Sequence, residues 1–130
     1  MDIVTKTKLN MLIQLAQVDR DFAGVERDLI YQIARDSNFP EEGVTSLIHQ
    51  PESIGSLGAL SERQKVDYLI CAVEMVFADH HVKESEVIFT QDIAIKLGFL
   101  KNVVAFLIEN FDKITRDELR RKVTAEFMPI

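Results

Sequence analysis

An aspartate followed seven residues later by a glutamate occurs twice in this chain, as Asp19 with Glu26 and as Asp79 with Glu86, the copies sixty residues apart. Carboxylates converging on a corner between two helices suit hard divalent cations such as Ca²⁺, Mg²⁺ or Mn²⁺. In the second copy His80 and His81 add nitrogen donors, which would move preference toward Zn²⁺ or another transition metal. Asp21 and Glu84 are further carboxylates close by. The same residues also have a structural reading. A glutamate near the third position of a helix favours the positive end of the dipole and can reach back to a free backbone amide. An aspartate at a helix C-terminus opposes the dipole by a few tenths to about 1 kcal/mol, so the aspartates carry the stronger functional signal. A calcium loop of the EF-hand type is excluded. Asp19, Asp21 and Gly24 fit it, but the bidentate glutamate it needs at the twelfth position is Ile30.

Helices must place these corners, and the same offset runs through the apolar positions that would build them. Leu9 matches Leu69, Ile33-Ala34 match Ile93-Ala94, and Phe39 matches Phe99. Val44, Leu47 and Ile48 match Val104, Leu107 and Ile108. From Ser61 onward, Val66, Leu69, Ile70, Val73, Val76 and Phe77 form an amphipathic stripe, and Ala72 and Met75 widen it until the helix must be central. Ser61 and Gln64 make a capping box at its start. The first-half counterpart, about residues 5–18, is more polar. A second helix spans about Gly24 to Ser37 in one half and Glu84 to Leu97 in the other, with Leu29 and Ile33 answering Phe89 and Ile93. Gly98 is placed to close the latter. Third helices follow from Pro40 to His49, with proline in the first turn, and from about Lys101 to Asn110. Thr115 and Glu118 form another capping box before a last helix that carries Leu119, Val123 and Phe127 and stops at Pro129. No segment alternates like a strand. The expectation is an all-α domain over 1–130 with about seven helices. Repeat halves span about 5–49 and 61–110, a Gly/Ser/Pro-containing linker covers 50–60, and the C-terminal helix covers about 115–127.

At these residues the chain resembles the TerB-like family of tellurite-resistance-associated proteins. Their signature is an Ala-Asp-Gly turn with a glutamate seven residues after the aspartate, often present twice. Ala78-Asp79 through Glu86, then Ile93-Ala94 and Leu97-Gly98-Phe99, resembles it well, and Val18-Asp19 through Glu26 is the weaker copy. The resemblance runs from about Leu9 to Ile108. It implies a compact bacterial helical domain, met in stress-response proteins and attached to membrane-anchored J-domain co-chaperones, whose acidic residues have been proposed to bind divalent metal. It carries over to Asp19, Glu26, Asp79 and Glu86 as candidate ligands. The glycine after the aspartate is replaced by Arg20 in the first copy and His80 in the second, which alters the turn. Arg20 also puts a positive charge beside a cation site, so the second corner is the better candidate.

Composition narrows the rest. The 130 residues are 47% hydrophobic and 28% charged, enough for one buried core. A net charge of −6 repels a phosphate backbone. The densest basic cluster, Arg116, Arg120, Arg121 and Lys122, is interleaved with Asp117 and Glu118, so nucleic-acid binding is not expected. The single cysteine, Cys71, lies in an apolar stretch and reads as a core residue. No signal peptide or membrane span is expected, which points to the cytoplasm. Metalloprotease, di-iron, phosphate-loop and nucleophile-elbow motifs are absent, so an enzyme is not expected. Glu74 reads as a helix-edge carboxylate, because Gln14 holds the matching place, and His49 as a solvated helix end. Two functions remain open: a divalent-metal-binding, stress-response domain, and a protein-interaction module whose acidic face docks a basic partner without metal.

Overall fold

The computed structural model describes residues 3–18, 24–54, 57, 60–78 and 82–128. Among them are seven helices and no strand: α1 (Ile3–Gln17), α2 (Gly24–Asp36), α3 (Glu41–His49), α4 (Glu62–Phe77), α5 (Glu84–Leu97), α6 (Val103–Asn110) and α7 (Arg116–Glu126). Helices α1 and α4 pack on each other at the centre. Helix α1 carries α2 and α3, and α4 carries α5 and α6, so the two halves pair their helices alike. Helix α7 closes the far side of α4 and α6.

Local chemistry sets the ends of these elements. Ser61 Oγ accepts from the Gln64 amide, and the Gln64 side chain accepts from the Ser61 amide, which completes the expected capping box. Helices α2 and α5 close in the same way. Asn38 and Gly98, sixty residues apart, both adopt positive φ, at 58° and 94°. After them the Phe39 and Phe99 amides reach back to the Ala34 and Ala94 carbonyls at 2.8 and 2.9 Å. This is a Schellman closure in which the following phenylalanine turns into the core; Phe39 and Phe99 are both buried.

Several boundaries differ from the sequence expectation. Helix α3 begins at Glu41, with Pro40 as its N-cap, because the Pro40 carbonyl accepts the first helical bonds, from Gly43 and Val44. Helix α6 begins at Val103, after a turn closed by the Val103 amide on the Leu100 carbonyl. The second capping box is half formed: Thr115 accepts from the Glu118 amide, but the Glu118 carboxylate turns to Arg121. Helix α7 ends at Glu126, while Pro129 lies outside the described residues.

The larger correction concerns α1. It is as buried as α4, with Leu9, Met11, Leu12, Ile13, Leu15 and Ala16 all at 0% exposure, so both central helices are enclosed nearly all round. Its polar residues are used inside the fold. Asn10 Nδ2 donates to the Glu52 carbonyl and Asn10 Oδ1 accepts from the Glu52 amide, both at 2.9 Å. Gln14 Nε2 donates to the same carbonyl at 2.5 Å, and Lys6 pairs with the Glu52 carboxylate at 2.8 Å. The linker is thereby strapped along α1. The Tyr68 hydroxyl, from α4, donates to the Val4 carbonyl and ties the two central helices together.

Two stability outcomes follow. Asn10→Ala removes both of its hydrogen bonds to the Glu52 backbone, leaving the carbonyl to Gln14 alone, and lowers unfolding free energy by about 1–3 kcal/mol in urea titration. Gly98→Ala places its Cβ where nothing lies within 4 Å, so only the left-handed backbone resists it. Its cost is about 1 kcal/mol, whereas Asn38→Gly is neutral or mildly stabilising.

Candidate functional site

Helices α2 and α5 present the same three-residue seam to the centre. In α2 the buried residues are Glu26, Ile30 and Ala34, and in α5 Glu86, Thr90 and Ala94 recur at the same spacing, with Ile93 and Leu97 also buried. Residues four apart stack on one helical face, so each glutamate is the first member of a core-facing row. The alanines end each row where a small side chain permits close approach. Leu29 and Ile33, the pair that answers Phe89 and Ile93, are only half-buried and flank it.

The glutamates do occupy the third helical position, as the capping reading requires, since α2 starts at Gly24 and α5 at Glu84 after the Lys83 N-cap. Their exposure is what that reading does not anticipate. Glu26 is 0% exposed and Glu86 1%, against the solvent-facing position a surface capping carboxylate would hold. Carrying a carboxylate out of water costs several kcal/mol unless partners in the fold compensate. Both glutamates take part in interactions within the fold. Beside Glu86, Thr90 Oγ1 donates to the Glu86 carbonyl at 2.8 Å, which keeps that buried hydroxyl satisfied. The remaining expected donors, Asp19, Asp79, His80 and His81, and also Asp21, lie outside the described residues. Among the described residues no three of histidine, cysteine, aspartate and glutamate come together as a metal cluster. A buried carboxylate has the hard oxygen chemistry that divalent cations take, and each corner supplies one such described donor.

The helices leading into the two corners are braced differently. At the end of α4, Phe77 stacks on Phe111 with ring centroids 5.0 Å apart. The Arg116 guanidinium lies over the other part of this arrangement, 3.8 Å from the Phe111 centroid. Arg116 Nη1 donates to the Phe111 carbonyl at 3.2 Å, and its Nε donates to Glu74 at 3.3 Å. Glu74 therefore emerges at the helix edge as expected, and its partner there is Arg116. The matching residues of α1 are Gln14, on the linker, and Gln17, whose Nε2 donates to the Ile48 carbonyl at 3.3 Å. Neutral amides hold the first corner's entry helix, while an aromatic stack and an ion pair hold the second.

Burial, with Asp67 and Glu74 nearby, pushes the Cys71 thiol up to about 12. A thiol so raised stays protonated and is a poor nucleophile, in keeping with a packing role. His49 is exposed at the end of α3, as its place in the sequence indicates.

Iodoacetamide at pH 8 should alkylate folded Cys71 at least a hundred-fold more slowly than cysteine in the unfolded chain, because so little thiolate is present. The linkage has a definite sign. The folded thiol holds its proton to about 12, whereas the unfolded one loses it near 8.5. The Cys71 contribution to stability is then fully present below the unfolded value and is lost as pH rises through the folded one. Cys71→Ala should flatten that alkaline decline in urea titrations between roughly pH 8.5 and 11. Set against known proteins, the chain matches no protein-family model, no curated protein and no solved structure.

Proposed function

We propose that this chain is a non-enzymatic TerB-like domain that binds a divalent metal ion at its helix corners and serves a stress-response role. The observation that carries the proposal is the burial of two glutamates at the same helical position sixty residues apart, Glu26 and Glu86. A surface cap gains about 1 kcal/mol or less from the helix dipole and needs no burial. A buried carboxylate repeated in register is instead the disposition of a donor held ready for a cation in a low-dielectric setting. The second corner is the principal site, with Glu86 joined by Asp79, His80 and His81 as donors. Glu26 and Asp19 form the weaker one, where Arg20 would oppose a cation. The imidazoles shift the second corner toward Zn²⁺ or a similar transition metal, and a carboxylate-only set would favour Mg²⁺, Ca²⁺ or Mn²⁺.

A second reading has its own observation. Asp36, Glu41 and Glu42 are exposed around the junction of α2 and α3, and Arg35 reaches one of them, Glu41, at 3.6 Å. Such a face would dock a basic segment of a partner protein without any metal.

The two readings part on metal content. Under the first, purified protein carries a divalent metal at stoichiometric occupancy by elemental analysis. Restoring that metal to chelated protein, at about a hundred times its dissociation constant, adds about 2.7 kcal/mol of stability. Asp79→Asn and Glu86→Gln each abolish the increment, while Asp28→Asn, on the exposed face of α2, retains it. Protein without bound metal, and with no cation-dependent rise in unfolding temperature, would sink the metal reading. Salt-sensitive binding to a basic peptide would then speak for the second.

A further inference from the structure

We propose that the groove between the start of α4 and the last turns of α7 docks an acidic, amphipathic helical segment of a partner protein. The groove encloses about 600 Å³ and is open to solvent. Val66, Thr124 and Ala125 line it with apolar and methyl surface, and Arg63, Arg120 and Arg121 rim it against a single carboxylate, Glu62. A smaller depression continues from it, sharing Arg63 and Arg120. The acidic residue there, Asp67, is already engaged by Lys8 at 3.1 Å. In sequence Arg63 stands far from the basic run of α7, and only the packing of α7 on α4 brings the three arginines to one rim.

The charges on this rim are available. The Arg63 guanidinium is exposed and has no hydrogen-bond or ion-pair partner among the described residues. Arg120 meets Asp117 at 3.3 Å, and Arg121 meets Glu118, each as a solvent-exposed pair one turn apart on α7. Such pairs are worth about 0.3–0.5 kcal/mol, so an incoming carboxylate can displace them with little loss. Guanidinium groups then offer forked, charge-assisted hydrogen bonds to it.

Shape and charge together identify the occupant. Small ligands are held in concavities that bury most of their surface, whereas an open trough between two helices suits a third helix laid along it, with apolar residues at i and i+4 facing the floor. The chain as a whole carries a net charge of −6. An acidic segment is repelled over most of this surface and attracted at the arginine rim, which gives specificity as well as orientation.

The test uses the full chain and a fluorescein-labelled helical peptide of glutamate, alanine and leucine, with leucines at i, i+4 spacing, followed by fluorescence anisotropy. The peptide should bind, and binding should weaken as salt is raised from low ionic strength to about 0.3 M. The double variant Arg63→Glu with Arg120→Glu should weaken it by about tenfold or more. Arg35→Glu, outside the groove, should leave it unchanged. Circular dichroism of the double variant should match the parent, because both side chains are exposed. A lysine-for-glutamate version of the peptide that binds equally well, or affinity unaffected by the double variant, overturns the proposal. So does binding of sodium decanoate with none of the peptide, which would make the groove a small-anion site. A dimer in sedimentation velocity that the double variant dissolves overturns it in favour of a second copy of the chain.

Discussion

The packing of α1 against α4 is the constraint from which the rest of the architecture follows. Past Ile3 in α1 and Arg63 in α4, neither helix has a fully exposed residue. Leu9, Leu12, Ile13 and Leu15 in one, and Leu69, Val73, Met75 and Val76 in the other, are all fully enclosed. Each such side chain gains about 1.5–3 kcal/mol on leaving water, and two adjacent helices of this kind cannot cover each other on every side. Additional elements must sheath them, and α2, α3, α5, α6 and α7 do so. Enclosure also forces the polar residues of the central pair to find partners in the sheath. Asn10 captures the backbone of Glu52, and Tyr68 captures the carbonyl of Val4. The linker lies where it does because α1 has polar groups that burial would otherwise leave unsatisfied.

Features encoded within a few residues were legible in the sequence. The Ser61 box, the start of α5 at Glu84 and the glycine closure at Gly98 depend on local hydrogen bonds and on one residue's freedom at positive φ, and they fall where expected. The matching closure at Asn38 was not read, although the offset from Gly98 contains the signal and asparagine is the other residue that tolerates this backbone. Features made by tertiary contact were not legible. Asn10 and Gln14 look like ordinary helix-surface polar residues until the linker lies across them. The rim formed by Arg63, Arg120 and Arg121 joins two distant segments. For the candidate site, the helical position of Glu26 and Glu86 was legible and their environment was not. Glutamate at the third position is usually solvated, and only its place in an i, i+4 row with Ile30 and Ala34, or with Thr90 and Ala94, shows that it faces inward.

The halves agree in skeleton and differ in what surrounds the skeleton. Both close their second helix with the same hydrogen-bond pattern and both bury a glutamate. They diverge where each central helix runs toward its corner. The second has α7 against it, and with α7 come Arg116 over Phe111 and the ion pair to Glu74. Among the described residues the first has no helix in that place, and it is held by the linker and by α3. Two further differences lie on the outer face. Ile88 and Ile95 are exposed on α5 where α2 has Asp28 and Arg35, so the second half presents a more apolar surface.

Burial of a carboxylate at a helix start sets two effects of unequal size against each other. The dipole and the free amides of the first turn favour the charge by about 1 kcal/mol at an exposed site, and somewhat more when partly buried. Desolvation opposes it by several kcal/mol. The first alone does not cover the second, so the interactions that Glu26 and Glu86 make within the fold must supply the difference. The glutamate is fixed on the rigid face of α2 or α5, locked in a row with its neighbours. Membership of that row, with Ile30 and Ala34 or with Thr90 and Ala94, is what takes each carboxylate out of water.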